Sequence, residues 1–308
     1  MKTCSDICIY YIKTKNKTRR IVSYNSDVCE LRICHQRINT FLQERFIPSI
    51  FSKGYVPGRS IYHNALSHMY NDYFIMLDIK NFFLRICHGQ LAKKIYHEIN
   101  INDVEQISRK ECNDIVELCS ISSRGIPLGF ITSPILSNIY LKEFDCIFYG
   151  KLKKLHLDNI IYTRYADDIT VSFKYPDKDK NIELEQLIIN LASNILSRYG
   201  LRLNNKKIRS YNLNVSNHVK VTGVNIVKQE NTNLRKLSVG RETKNKLFWE
   251  CMKCINTKDL EQIKRIKGLQ SFILSIEKKD YESSYSSAMM KQIYSLGFNS
   301  LKDLIDSL

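Results

Sequence analysis

The stretch I-I-Y-T-R-Y-A-D-D-I-T-V-S-F, Ile160–Phe173, decides the reading of this chain. Two runs rich in β-branched and aromatic residues flank a short centre, Ala166-Asp167-Asp168, which is the pattern of a β-hairpin. Counted by twos, Ile161, Thr163, Tyr165, Ile169, Val171 and Phe173 are expected to share one buried face. Two adjacent carboxylates at the tip of a buried hairpin raise each other's pKa and oppose ionisation. A metal cation that neutralises both would remove that cost. The plainer alternative is an acidic turn, since Asp is common in turns.

A third carboxylate upstream favours the metal. Y-F-I-M-L-D-I, Tyr73–Ile79, is a nearly unbroken apolar run, the pattern of a strand buried on both faces, and Asp78 sits near its C-terminal end. An Asp there can simply end a strand. Together with Asp167 and Asp168, however, Asp78 can converge on a pair of divalent ions, and the adjoining Ile79 is taken as a further candidate metal residue. Hard oxygen donors suit Mg²⁺, which takes one or two carboxylates plus substrate phosphates. Two such ions, roughly 3.5–4 Å apart, clamp the attacking and leaving oxygens of an in-line phosphoryl displacement. Nucleic-acid polymerases use that chemistry.

Composition narrows the partners. The 308 residues can bury a large core in one domain or in two to three lobes. Lys and Arg number 47 against 31 Asp and Glu, a net charge of +16 that favours a polyanion, most commonly nucleic acid. No apolar run approaches the roughly 20 residues that span a bilayer. Ile7–Ile12 is too short for a secretory signal, so a cytoplasmic location with no membrane partner is expected. The ten cysteines are scattered rather than framed for a disulfide scaffold, and the single C-x-x-C at Cys251 and Cys254 lies on an expected helix, where packing is favoured over zinc.

Along the chain, the basic run at residues 13–20 is either a solvated hairpin turn or a phosphate-contacting tip, the second being favoured here. Glu30–Phe46 has apolar residues at helical spacing, and Pro48 ends that helix or starts the next element. A turn-rich loop, 53–60, precedes a helix through Leu66 and Met69 that puts Asn64 and His68 on one face. Gln90–Ile99 and Asn113–Ser120 read as helices. The loop Arg124–Pro134 feeds another, running through Ile135–Phe144 with Pro134 in its first turn. Lys174–Lys180 reads as a polar loop. Leu184–Tyr199 is amphipathic and closed by Gly200. Leu201–Lys207 is a short strand or turn, Val219–Val227 alternates as a strand, and Gln229–Asn233 turns into Leu234–Val239. From about Arg241 the pattern is helical, with Lys264, Arg265 and Lys267 on a polar face.

Taken together these residues resemble a reverse transcriptase, and more narrowly a bacterial retron reverse transcriptase. Tyr165-Ala166-Asp167-Asp168 matches the family's Y-x-D-D box, and Asp78 stands where its first catalytic Asp lies. Gly129, Ser133-Pro134 and Asn138 look like the template- and nucleotide-facing segment. Asn64-Ala65-x-x-His68 matches the N-A-x-x-H element, and Val221-Thr222-Gly223 the V-T-G. The set is in order and covers nearly the whole chain. Two departures stand out: Leu128 replaces the Gln that commonly precedes the glycine matched by Gly129, and the stretch ahead of the basic run is short.

The resemblance implies an α+β, right-hand polymerase fold. Residues 1–72 would form fingers, 73–230 a palm with an inserted fingers segment at about 90–125, and 231–308 a basic helical thumb. It implies that Asp78, Asp167 and Asp168 are catalytic and hold two Mg²⁺, with Mn²⁺ as a substitute. Arg19, or the adjacent Arg20, would neutralise the triphosphate of a dNTP. Phe83 would pack under the sugar, Gly129 and Tyr165 would line the nucleotide site, and Lys207 (or Lys206) would donate a proton to the leaving group. Asn64, His68, Val221, Thr222, Gly223 and the basic residues Lys264, Arg265 and Lys267 would bind RNA. The implied partners are a cognate structured non-coding RNA and the branched RNA–DNA hybrid (msDNA) primed from a guanosine 2′-OH, with a separately encoded effector in an anti-phage system. No ribonuclease H domain is expected within 308 residues. The alternatives are a non-retron bacterial reverse transcriptase, such as a group II intron-like enzyme, and a catalytically silent RNA-binding scaffold; a palm-fold nucleotide cyclase would not need the basic helical tail.

Overall fold

The computed structural model describes residues 6–14, 17–101, 106–174, 181–229, 234–257, 259–278 and 280–308. The chain opens with a hairpin of β1 (Ile7–Thr14) and β2 (Lys17–Tyr24), then α1 (Glu30–Arg45) and α2 (Ile61–Ser67). Next come β3 (Tyr73–Asp78), α3 (Phe82–Arg85), α4 (His88–Ile99), α5 (Arg109–Leu118) and α6 (Ser133–Lys153). The hairpin β4 (Ile161–Tyr165) and β5 (Asp168–Phe173) leads to α7 (Asn181–Arg198) and β6 (Arg209–Asn212). The remainder is α8 (Leu213–Ser216), β7 (His218–Val221), β8 (Val224–Lys228), β9 (Arg235–Ser238), α9 (Arg241–Thr257), α10 (Leu260–Glu277), α11 (Ser287–Ser295) and α12 (Leu301–Ser307).

Residue contacts divide this chain into two compact units, one of residues 1–60 and 71–211, the other of 61–70 and 212–308. The division differs from the boundaries expected at 72/73 and 230/231. Helix α2 packs on β7, β8 and β9, so a segment early in sequence belongs with the C-terminal elements.

In the first unit a four-stranded sheet of order β4-β5-β3-β6 places β3 in the interior, as its apolar run requires. Helix α6 lies in the middle of the core, with Pro134 in its first turn and Tyr140, Phe144 and Phe148 fully buried. Burying each phenylalanine contributes roughly 1.5–3 kcal/mol. Helix α5 starts on a capping box, Ser108 with Glu111. Helix α7 ends as its glycine predicts: Gly200 takes φ +67°, Leu201 N–H donates to Leu196 O at 3.1 Å and Gly200 N–H to Ser197 O at 3.0 Å. It begins at Asn181, earlier than the expected Leu184; most of the Lys174–Lys180 loop lies outside the described residues.

Two expectations are corrected here. Ile161, Thr163 and Tyr165 do not share a face with Ile169, Val171 and Phe173. The β4–β5 loop has two residues, so Tyr165 pairs with Asp168, Arg164 with Ile169 and Tyr162 with Val171. Cross-strand partners point the same way, and an even loop therefore puts Tyr162 and Arg164 on the core face instead. Likewise Val219–Val227 is not one strand. Thr222 (φ +44°) and Gly223 (φ +93°) fold it into the β7–β8 hairpin, positive φ at both central positions being the requirement of a tight type I′ turn.

The second unit packs α2 on the sheet β7-β8-β9 and pairs α9 with α10. A buried ion pair ties these together: Lys244 Nζ lies 3.0 Å from Glu277 Oε2, while Glu277 Oε1 accepts from Val239 N–H and Ser238 Oγ, each at 2.8 Å. Cys251 and Cys254 are both buried on α9, consistent with packing. Among the described residues, no helix is long and apolar enough to cross a membrane.

Candidate active site

The three carboxylates meet where β3 ends and β5 begins. In the antiparallel register Asp78 stands opposite Asp168, and Asp167 follows at the adjoining loop. The backbone fixes this meeting point from two sides: Ile79 N–H donates to Asp167 O at 3.0 Å, and Asn204 N–H to Asp78 O at 2.8 Å. Asp78 is buried, 6% exposed, while Asp168, the first residue of β5, is exposed.

The electrostatics of the cluster are those of a site short of positive charge. Desolvation pushes the Asp167 carboxyl above its usual range, and Asp78 adds to the rise. Asp168 is pushed up to about 6 by desolvation, then by the charges of Asp167 and Asp78. Lys207 Nζ forms an ion pair with Asp78 Oδ1, and Asn204 Nδ2 donates to Oδ2 at 3.2 Å. The hydrogen bond to Asp78 raises the Lys207 pKa in turn, so its ammonium stays charged beside the cluster. Among the described residues, no group of three or more His, Cys, Asp or Glu side chains is already disposed as a metal cage. The donor chemistry nonetheless fits a hard divalent ion: three carboxylates meet here, and even beside Lys207 and Arg19 the carboxyls of Asp167 and Asp168 stay above their usual range.

A cleft of about 390 Å³ opens beside Asp78 and Asp167, lined also by Ile79, Arg19, Arg20, Phe83, Lys207 and Asn204. Of the two adjacent arginines, Arg19 is near enough to pull the pKa values of Asp167 and Asp168 downward. Both lysines are exposed, but of the two Lys207 reaches Asp78 and lines the cleft. Phe83 is 8% exposed, and its carbonyl accepts from Ile126 N–H at 2.9 Å, which fixes its backbone against the loop that covers it.

Gly129 and Tyr165 stand elsewhere. A Cβ on Gly129, at φ +114°, would fall 2.2 Å from Val22 O, so the glycine permits β2 to lie against the loop. Val22 N–H donates to Leu128 O at 2.8 Å in the same contact, and Leu128 also lines the cleft. This strap holds β2, and hence Arg19 and Arg20, over the cleft. Tyr165 lines a second groove, of about 700 Å³, with Tyr55, Arg59 and Asn138.

Sequence reasoning missed Arg164, Asp145 and Asn204. The available signal for Arg164 was a charged residue inside an apolar strand. Asn138, read as facing the template, is 2% exposed and bonds internally to Ser52, Gly54 and Arg164.

In the second unit, Asn64, His68 and Val221 are interior, so their side chains do not themselves form an RNA-facing surface. Asn64 Nδ2 donates to Thr222 Oγ1 at 3.0 Å, joining α2 to the turn on which Gly223 is exposed. Lys264, Arg265 and Lys267 are exposed on α10, with Arg265 3.2 Å from Glu250.

Comparison with known proteins accords with this geometry. Residues 12–226 match the family described as "Reverse transcriptase (RNA-dependent DNA polymerase)". The Escherichia coli retron Ec73 reverse transcriptase is 30% identical over 182 residues, 54% of this chain and 55% of that protein. Retron Ec86 reverse transcriptase is 25% identical over 89% of this chain and 77% of that protein, and retron Ec83 reverse transcriptase 28% over 90% and 83%, both also from Escherichia coli. The chain thus spans little more than half of the Ec73 protein and most of the other two. Telomerase from Candida albicans, solved with a TWJ fragment of telomeric RNA, superposes with a TM-score of 0.50 at 13% identity over 97% of this chain and 60% of that chain. Apo telomerase from Candida tropicalis gives 0.50 at 14% identity over 95% and 58%. At such identities these likenesses bear on the fold alone, an α+β right-hand polymerase fold. The retron resemblance accords with these curated relatives, all retron reverse transcriptases, and with well over half its length matched, the chain belongs to the reverse transcriptase family.

Proposed function

We propose that this chain is an RNA-directed DNA polymerase of the retron kind, which copies a cognate structured non-coding RNA into a branched msDNA. The observation that carries the catalytic part is the opposition of Asp78 and Asp168, with Asp167 beside them, at the mouth of a cationic cleft. Asp78, Asp167, Asp168 and the Ile79 carbonyl would hold two Mg²⁺, for which Mn²⁺ can substitute. Bound there, the ions would activate the primer hydroxyl and stabilise the departing pyrophosphate. Arg19, with Arg20 beside it, neutralises the dNTP triphosphate, and Phe83 under the sugar disfavours a ribose 2′-OH. Lys207 holds a proton at Nζ within reach of the leaving group. Gly129 acts through the β2 strap, and Tyr165 borders the site from the neighbouring groove.

The retron assignment rests on the curated relatives and on the two short motifs. In this reading Asn64 and His68 shape the Thr222–Gly223 turn, which meets RNA together with Lys264, Arg265 and Lys267; folded RNA is generally recognised by shape and phosphate contacts. Residues 1–60 and 71–211 supply fingers and palm, and the helices after Arg241 the thumb. Priming from a guanosine 2′-OH, a cytoplasmic location, a separately encoded effector and an anti-phage role follow from the same resemblance.

The test examines nucleic acid from cells carrying the gene with its upstream flank, wild type against Asp167→Asn/Asp168→Asn. A short single-stranded DNA joined to RNA, resolved by a debranching enzyme and lost in the variant, is expected. Synthesis on a primed RNA template by purified protein without any branched product would instead make it a reverse transcriptase of another kind. No synthesis in either assay would reject the polymerase reading.

A further inference from the structure

The loop that carries Asp167 is tied to one buried side chain. Arg164 lies in β4 immediately ahead of Tyr165-Ala166-Asp167-Asp168, and none of its surface is exposed. A guanidinium so placed carries a desolvation cost of several kcal/mol unless its donors are met. Here two go to one carboxylate: Nε donates to Asp145 Oδ1 at 2.7 Å and Nη2 to Oδ2 at 2.8 Å. Asp145, in α6, is equally buried, and Tyr162 Oη donates to its Oδ1 at 2.6 Å. The third direction of the fork is used differently. Arg164 Nη1 donates to the carbonyl oxygen of Ala166 and to Asn138 Oδ1, each at 3.2 Å.

Ala166 needs such a partner. Its φ of +54° is the left-handed conformation, which costs a residue bearing a Cβ roughly 1–2 kcal/mol. The loop is also pressed from the side of Gly54, where a Cβ would lie 2.8 Å from Ala166 N. Gly54 O accepts from Asn138 Nδ2 at 3.0 Å, and Ser52 Oγ donates to Asn138 Oδ1 at 2.8 Å. The same polar cluster thus grips both sides of the loop. An ion pair serving stability alone would need only Asp145.

We propose that Arg164, anchored by Asp145, is a positioning residue: by holding the Ala166 carbonyl it sets where Asp167 and Asp168 stand relative to Asp78. This deepens the polymerase reading and rests on it. Residues that orient metal ligands without touching the metal shift affinity by about 10–100-fold when removed.

The test uses the full chain and two variants. Arg164→Met/Asp145→Leu/Tyr162→Phe replaces the polar cluster by apolar groups of similar size, a change often neutral or stabilising for a buried pair. Arg164→Lys keeps the charge on Asp145 but loses the planar fork. Mn²⁺ affinity is read by electron paramagnetic resonance, Tm by melting, and kcat and KM on a primed RNA template. The triple variant is expected to melt within a few degrees of wild type, bind Mn²⁺ at least about tenfold more weakly, and lose kcat with KM for primed template unchanged. Arg164→Lys should fall between. Wild-type Mn²⁺ affinity in the folded triple variant overturns the proposal. Should the triple variant not fold, Arg164→Lys decides: weakened Mn²⁺ binding at an unchanged Tm supports it, and unchanged binding overturns it. Mn²⁺ binding needs no turnover, so these results stand apart from any failure of wild type to make DNA, which would reject the polymerase reading instead.

Discussion

Asp78 and Asp168 are direct cross-strand partners in the β3–β5 ladder, two carboxylates facing one another where the sheet ends. Like charges in opposed positions destabilise a sheet by roughly 0.2–1 kcal/mol. Partial desolvation, then the charge of Asp167 and that of Asp78, together lift Asp168 to about 6. A sheet keeps such a pair when something positive binds between them, and the approach of the Lys207 ammonium to Asp78 marks the same demand.

Asp168→Asn should therefore separate stability from function. Without metal, the variant is expected to melt roughly 1–3 °C above wild type, because one of the opposed charges is gone. DNA synthesis should fall on the order of 10³-fold, the loss of several kcal/mol of charge stabilisation. Calorimetry in chelator and a primer-extension assay read the two effects. An unchanged or lower Tm would mean that the carboxylates do not repel as described.

Divalent metal should stabilise the wild-type fold. At a free concentration one hundred times the dissociation constant, a ligand that binds only the native state adds about 2.7 kcal/mol. Titrating Mg²⁺ or Mn²⁺ should raise Tm in wild type, and chelator should reverse the rise. In Asp167→Asn/Asp168→Asn the shift should be absent. Equal shifts in both proteins would place the binding elsewhere.

Gly129→Ala should detach β2 from the loop that carries Leu128. The added Cβ meets Val22 O at 2.2 Å, a clash with backbone that no rotamer relieves. The left-handed backbone alone costs roughly 1–2 kcal/mol, and the clash adds to it. Because β2 carries Arg19 and Arg20, the KM for dNTP should rise along with the fall in Tm. A variant with wild-type KM would show that the strap does not position the arginines.

Phe83→Ala should weaken sugar discrimination. On the proposed placement of its ring under the sugar, the loss is worth about 1–3 kcal/mol, or roughly 10–200-fold, in the ratio of kcat/KM for dNTP over rNTP. Comparing the four dNTPs with the four rNTPs on one primed RNA template reads it directly. A proportional loss with both sugars would assign Phe83 to packing alone.

Exposed and buried residues of the second unit should respond differently. Replacing Lys264, Arg265 and Lys267 by Gln should weaken RNA binding and shrink the salt dependence of log K by roughly two to three units of slope. Asn64→Ala removes the donor to Thr222 Oγ1 and should cost about 1–3 kcal/mol of stability, without changing that slope. Filter binding across a salt series, with parallel melting curves, distinguishes the two.

Much of this molecule was decided by local sequence. The apolar run at Tyr73–Ile79 had to be an interior strand, Gly200 had to end α7, and the helical periodicity after Arg241 appears in α9 and α10. The three Asp residues were legible because carboxylates at the ends of apolar strands need a compensating charge. Tertiary structure decided what depends on loop parity and on distances across the fold. A two-residue loop at Ala166-Asp167 inverts the face assignment of β4, and only that inversion turns Arg164 inward to meet Asp145 from α6. The glycine at 129 was visible, but not that its missing Cβ makes room for the carbonyl of Val22. Asn64 and His68 were visible as one helical face, but not that the face is interior, because burial there depends on strands more than 150 residues later in the chain. Periodicity reports which side of an element is apolar; which partner covers it is set by packing between distant segments, and no local pattern carries that information.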